Sequence, residues 1–312
     1  MLARRLGAMN RSLRLEMLQV ARLAPKMLGD STELVRGFLM RQFTSEGGAC
    51  DRAGRADLYY TIFALAGMQA ATMTNDGFAD DENSSQRDAL GKFVAAFGEG
   101  EGLDFIHLGA LARCRAASGF VSDMEQLLAR IEGFRTADGG YHEKRGAAHG
   151  HAYGCFVALG AYQDLGREVP HAMRMVQCLK LLETPDGGWG NVRGMRQGTV
   201  PATAAAVTLL HQLGVPVNDA VGDWLLAQAH AEGGWLAAPG SPLPDLLSTA
   251  TALHALSCLD RTLPEAIRER CLDFVDTLWS AEGGFHGHWA DDALDAEYTF
   301  YGLLALGHLA VQ

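Results

Sequence analysis

The chain has 312 residues, 48% of them apolar, with a formal charge of −11 and an isoelectric point near 5.4. That is enough for one large domain or two ordinary ones with a substantial core. So acidic a balance excludes nucleic acid as a general partner, since phosphate binding needs a basic face, and no apolar run reaches the ~18 residues of a membrane-spanning helix.

Residues 1–30 differ from the rest: Arg4, Arg5, Arg11, Arg14, Arg22 and Lys26 are set against only Glu16 and Asp30, with leucines and methionines between. The pattern is a basic amphipathic helix. It suits either peripheral contact with an anionic membrane surface or a first packing helix with a solvated basic face. No sustained apolar core follows the arginines, so a cleaved secretory leader is not expected, and the expected location is cytoplasmic. The six cysteines (50, 114, 155, 178, 258 and 271) form no CxxC pair and mostly fall in apolar helical patterns, as buried reduced thiols do.

From residue 31 onward the chain repeats itself. Gly-Gly pairs begin at 47, 139, 187, 233 and 283, in "TSEGGA", "TADGGY", "TPDGGW", "AEGGW" and "AEGGF". Their spacings of 92, 48, 46 and 50 place a degenerate copy near residue 95, where the chain reads "FGEGEGLDFIHLGALARC", and so give six units. Pro170, Pro216 and Pro264 open helical patterns at the same period, where a missing N–H costs least. In "PEAIRERCLDFVDTLWSAEGG", Ile267, Cys271, Phe274, Val275 and Leu278 keep one apolar stripe at helical spacing. Gly-Gly is expected to end that helix in the left-handed region. A second helix follows, rich in small residues, as in "PATAAAVTLLHQLG" and "AEYTFYGLLALGHL". Each unit is thus an outer amphipathic helix, a Gly-Gly turn, a loop and an enclosed inner helix. Such pairs stack as an open solenoid or close into a ring.

Acid-Gly-Gly-aromatic, a variable loop and a polar residue opening a small-residue helix resemble the protein prenyltransferase β-subunit and squalene (terpene) cyclase superfamily, over residues 31–312. "WLLAQAHAEGGW" is similar to the Gln-Trp motif of the cyclases. The resemblance implies an all-α, single-domain (α/α)6 toroid whose inner helices surround an apolar funnel for an isoprenoid chain. It implies two partners, an isoprenoid small molecule and a helical partner subunit. Its mouth should carry Asp57, Tyr59, Tyr60, His149, His151, Tyr153, Arg193, Arg196, Asp245, Ser248, Asp295 and Tyr298.

The family's zinc ligands are an Asp-x-Cys in the penultimate unit and a histidine in the last. Here "PDLLST" keeps Asp245 but puts Leu247 at the cysteine, and "DAEYT" puts Tyr298 at the histidine. Leucine cannot coordinate zinc, so no metal ligand set and no cofactor is expected. Of the cyclases' Asp-x-Asp-Asp acid only Asp245 remains. "AAHGHAYG" resembles the helix opening whose histidine contacts diphosphate in protein prenyltransferases, which gives His149, with His151 and Tyr153 beside it. "RGMR" supplies Arg193 and Arg196, similar to the family's phosphate-binding Arg-x-x-Lys but one unit earlier. These five are the candidate substrate-binding residues. The candidate catalytic residues are Asp245, Asp295, Tyr60 and Tyr298, the tyrosines offering π faces to a carbocation or moving protons.

Asp291, Asp292 and Asp295 of "DDALD" fit a magnesium diphosphate motif, so magnesium is the one ion this sequence invites. They stand, however, at a loop-to-helix junction, where aspartates cap helices, in register with Asp57. The expected function is the handling of a prenyl diphosphate or polyprene by a zinc-free site; the alternative is a non-catalytic lipid-binding or protein-interaction toroid.

Overall fold

The computed structural model describes residues 12–73, 78, 84–119 and 124–311. Arg4, Arg5 and Arg11 of the basic segment lie outside the described residues. In chain order come α1 (Leu13–Ala21), α2 (Pro25–Leu28), α3 (Thr32–Gln42), α4 (Leu58–Ala71), α5 (Ser84–Ala96), α6 (Phe105–Ser118) and α7 (Met124–Glu132). There follow α8 (Ala152–Asp164), α9 (Ala172–Lys180), α10 (Val200–Gln212), α11 (Ala220–Ala227), α12 (Leu246–Cys258), α13 (Glu265–Thr277) and α14 (Ala296–Leu309). The only paired strands among the described residues are β1 (Trp235–Leu236) and β2 (Pro244–Asp245).

Even-numbered helices from α4 to α14 form the inner layer, and odd-numbered ones from α3 to α13 the outer. The inner helices pack in the cyclic order α4, α6, α8, α10, α12, α14 and back to α4. The chain is therefore a closed (α/α)6 ring. Enclosure explains the composition: 11 of the 14 residues of α14 are buried, whereas α13 buries only the stripe of Cys271, Phe274 and Val275.

Every inner helix opens the same way. Asp57, Asp104, His151, Thr199, Asp245 and Asp295 stand at the N-caps, each accepting from the N–H of the third residue on. This satisfies one of the donors that a helix start leaves unpaired. Four residues after a cap, Thr61, Thr203, Thr249 and Thr299 accept through Oγ1 from the N–H of Ala49, Trp189, Trp235 and Phe285, the residues that follow Gly-Gly. The unit is locked to itself at this point.

The Gly-Gly pair does not end the outer helix. α13 stops at Thr277, and the pair instead turns the loop, Gly283 N–H donating to Ser280 and Ser280 N–H to Gly284. Gly283 has φ +97°, and a Cβ there would fall 2.1 Å from the carbonyl oxygen of Leu34 on α3. Unit six thus presses bare backbone against unit one, which is why the residue is glycine.

α1 stops one end of the ring. It packs on α4, α8 and α14, with Leu13, Met17, Leu18 and Ala21 buried. Leu13 N–H donates to Gln163 Oε1 at 2.9 Å, and Arg14 pairs with Asp164 at 3.0 Å. The apolar face of α1 is therefore covered by the ring. Among the described residues no helix is long and apolar enough to cross a membrane.

Gly283→Ala should destabilise the protein by about 2 kcal/mol or more, combining a left-handed backbone with a backbone clash. Gly37→Ala, mid-helix with only the flexible end of Arg41 at 3.4 Å, should be neutral or stabilising. Thermal unfolding of the two variants checks both.

Candidate functional site: an apolar cavity on the ring axis

All six inner helices, with Met17 of α1, line one cavity of about 520 Å³. Ile62, Ile106, Val157, Pro201, Ala204, Ala205 and Leu247 make it apolar. One wall is aromatic: Tyr59, Phe63, Phe300 and Tyr301 stack edge-on or tilted with centroids 5.1–6.1 Å apart, and Tyr153 and Phe156 also line the cavity. Volume and lining are those of a small-molecule pocket.

Behind this wall sits Glu297. The Tyr59 hydroxyl donates to its Oε1 at 2.6 Å. Burial pushes the Glu297 carboxyl up to about 7, with the Tyr59 hydrogen bond pulling the other way. Near neutrality it is therefore poised to hold or release a proton, but such a carboxyl is a weaker acid than an ordinary one and a poor donor to an alkene.

A second polar group lies deep. Asp164 and Arg113 both line the cavity, and Asp164 accepts from Arg14 at 3.0 Å, from Arg113 at 3.2 Å and from Ser12 at 3.4 Å. His254 also lines the cavity and meets His308, Nδ1 to Nε2, at 3.2 Å. Burial drives His254 down to about 4 and His308 well below its usual range, so both rings are neutral. Their outer nitrogens, His254 Nε2 and His308 Nδ1, have no hydrogen-bond partner among the described residues. Whichever ring donates to the other, one outer nitrogen is left a donor and the other an acceptor.

The candidate residues from the sequence divide sharply. Tyr153 lines the cavity; Asp245, Asp295, Tyr60, Tyr298, His149, His151, Arg193 and Arg196 do not. Asp245 accepts from Ser248 N–H and Oγ, both at 2.7 Å, and burial raises its pKa. Asp295 accepts from Tyr298 N–H at 2.8 Å and pairs with Arg52 at 2.7 Å. The same guanidinium holds Asp291 at 2.8 Å and lies 5.5 Å from the centre of the Tyr298 ring. Arg52 thus already supplies the positive charge that "DDALD" calls for. His151 caps α8 through Nδ1 and faces Glu143 through Nε2. His149, Arg193 and Arg196 are exposed on the loops before α8 and α10, His149 with Asp138 at 3.5 Å.

The zinc implied by the resemblance does not fit. Leu247 turns into the cavity, Tyr298 offers a phenol that burial raises to about 12, and Asp245 is engaged by Ser248. His142, Glu143 and His151 do bring ligand atoms within 4.8 Å of one another. Yet Nδ1 of His142 accepts from Lys144 N–H, and Nδ1 of His151 from Gly154 N–H. Each neutral ring therefore carries its proton on Nε2 and has no lone pair free for a metal.

Glu297, Arg113 and His254 were not singled out by sequence reasoning. The available signal was a charged or ionisable residue inside an otherwise small and apolar inner helix.

The raised Glu297 pKa has a sign. Below about pH 4.5, its ordinary value, both folded and unfolded chains hold the proton and the stabilisation is complete; it is lost as pH rises through the folded value near 7. Glu297→Gln keeps an acceptor for Tyr59 and does not titrate. It should match the parent near pH 4.5 and be more stable at pH 8, by at most about 3 kcal/mol. Thermal unfolding across that range measures the difference.

The sequence matches the family described as Prenyltransferase alpha-alpha toroid domain over residues 15–107 and 203–310, more than half of the chain. No curated protein matches it significantly. Among solved structures it is similar to the type II terpene cyclase MstE from Scytonema, at 13% identity and TM-score 0.60, covering 91% of this chain and 97% of that one. It is also similar to Candida albicans protein geranylgeranyltransferase-I complexed with GGPP, at 14% identity and TM-score 0.65, covering 89% and 90%. A glycosidase in complex with glucose shares the ring at 16% identity and TM-score 0.50, covering 94% and 97%. At these identities the structural likenesses establish the fold alone. With the family match and six helix pairs closed around an axial cavity, the chain belongs to the prenyltransferase α/α-toroid family.

Proposed function

We propose that this protein binds an isoprenoid chain in its axial cavity, at a site that uses no zinc. The observation that carries the reading is the cavity itself: apolar, enclosed by all six inner helices, and walled on one side by Tyr59, Phe63, Phe300 and Tyr301. Branched polyprenes are apolar over nearly their whole length, so burial supplies the affinity. An aromatic wall also suits a chain that develops positive charge, because π faces attract cations. The family match and the isoprenoid ligand bound by a structural neighbour support the same substrate class. His149, Arg193 and Arg196 belong to this reading only if a diphosphate head group stays at the rim, since none of them reaches the cavity lining. Tyr59 and Glu297 replace Asp245 and Asp295 as the groups placed to move a proton beside the chain, because both aspartates already accept the hydrogen bonds of their helix starts.

Farnesol and geranylgeraniol should each bind and raise the unfolding temperature, with about 2.7 kcal/mol of stabilisation at a ligand concentration of 100 Kd. Ala205→Trp, which fills the cavity from α10, should abolish the shift. Chelation by EDTA should leave it unchanged. Absence of a shift with either alcohol, or a shift that survives Ala205→Trp, would count against the cavity as the site. Incubation with prenyl diphosphates and product analysis separates a catalyst from a lipid-binding toroid.

A further inference from the structure

The inner end of the cavity is not neutral. Arg113 lies eight residues into α6, about 12 Å below its first residue at 1.5 Å per residue. Its side chain is 20% exposed, and it lines the cavity. Its Nε donates to Asp164 Oδ2 at 3.2 Å, while its two terminal nitrogens have no hydrogen-bond partner among the described residues. Asp164, 1% exposed, also accepts from Arg14 at 3.0 Å. Among the described residues two guanidiniums thus share one carboxylate, which leaves one positive charge at this end of an apolar cavity. Tyr153 and Tyr301 nearby cannot balance it, since burial raises both hydroxyls and keeps them neutral. Glu297, ionised above about pH 7, is not part of the lining and makes its hydrogen bond to Tyr59 rather than to Arg113. A guanidinium never gives up its proton, and a buried charge is costly until it is paired.

We propose that Arg113 receives a single negative charge at the end of the bound chain, so that the cavity selects an isoprenoid or similarly branched carboxylic acid, tail toward the aromatic wall. This rests on the cavity binding an apolar chain. One net positive charge suits a carboxylate, whose two oxygens match the two free terminal nitrogens. A diphosphate brought to the same place would carry surplus negative charge into apolar surroundings. The inner site is thus distinct in chemistry from the exposed His149, Arg193 and Arg196.

The test compares farnesoic acid, farnesol and farnesyl diphosphate by isothermal titration at pH 8, where the acid is ionised. The acid should bind the parent at least tenfold more tightly than the alcohol, as expected for hydrogen bonds to a charged group. Arg113→Met should remove that advantage and leave farnesol affinity within about twofold. Arg193→Ala with Arg196→Ala should leave acid binding unchanged. Arg113→Gln, polar and uncharged, serves if the methionine variant fails to fold, and farnesol binding reports that each variant is intact. The proposal is overturned if acid and alcohol bind the parent equally, if the Arg113 variants weaken both alike, if the acid depends on the exposed arginines instead, or if the diphosphate proves the Arg113-dependent ligand. In all four cases alcohol binding keeps the chain-binding reading alive. If no ligand binds the parent, that reading falls and this one with it.

Discussion

Everything in this molecule depends on unit six meeting unit one. A helix pair of this kind cannot bury its apolar faces alone; each needs a neighbour on both sides, and the end units have one only if the ring closes. Closure is made at three levels of the same junction. Gly283 lays its backbone on Leu34 of α3, Arg52 from the first unit grips Asp291 and Asp295 of the last, and Tyr59 on α4 donates to Glu297 on α14. The first contact excludes any side chain, the second ties two carboxylates to one guanidinium, and the third places a buried acid against the cavity wall. Without closure there is no axial cavity, since its lining comes from all six inner helices.

The same logic explains the polar residues at the inner-helix starts. A ring of six helices brings six helix N-termini together at one end, each with unpaired N–H groups and a positive dipole end. Asp57, Asp104, Asp245 and Asp295 answer both needs at once. Between the first two caps, His107 reaches Asp57 through Nε2 at 3.1 Å and Asp104 through Nδ1 at 2.8 Å. With both ring nitrogens donating it is an imidazolium, and the Asp57 hydrogen bond, with Asp104 assisting, raises its pKa to about 9. Carboxylates that look catalytic in sequence are thus largely occupied by the scaffold. The groups with spare capacity lie elsewhere, on the cavity side of α4, α6 and α12.

The far end of the ring is closed differently. There the inner helices end rather than begin, and α1 covers them with an apolar face, bolted by Arg14 to Asp164. Because Asp164 holds Arg113 on its other oxygen, the plug and the inner end of the cavity share one carboxylate. The seat of α1 and the charge presented to a ligand are therefore set by the same three side chains.

What the sequence determined by itself was the unit and its count. Five Gly-Gly pairs in one period, with small residues in the helix that follows each, specify enclosed inner helices whatever their neighbours are, because a Gly at φ near +97° and a helix buried all round leave local compositional traces. It determined too that residue 247 offers a metal nothing, since leucine has no donor atom wherever it points. The sequence did not decide whether the ring closed, because an open solenoid has the same local pattern. It did not show that Gly-Gly turns a loop onto the next unit rather than ending a helix, which depends on how neighbouring units approach. Nor did it reveal that Tyr59 would meet Glu297, 238 positions away, or that Arg113 and Asp164 would share a buried pocket with α1. Those contacts exist only when residues from different units converge on one axis, and a side chain's ionisation depends on what surrounds it there, so only the tertiary structure decided the chemistry of the site.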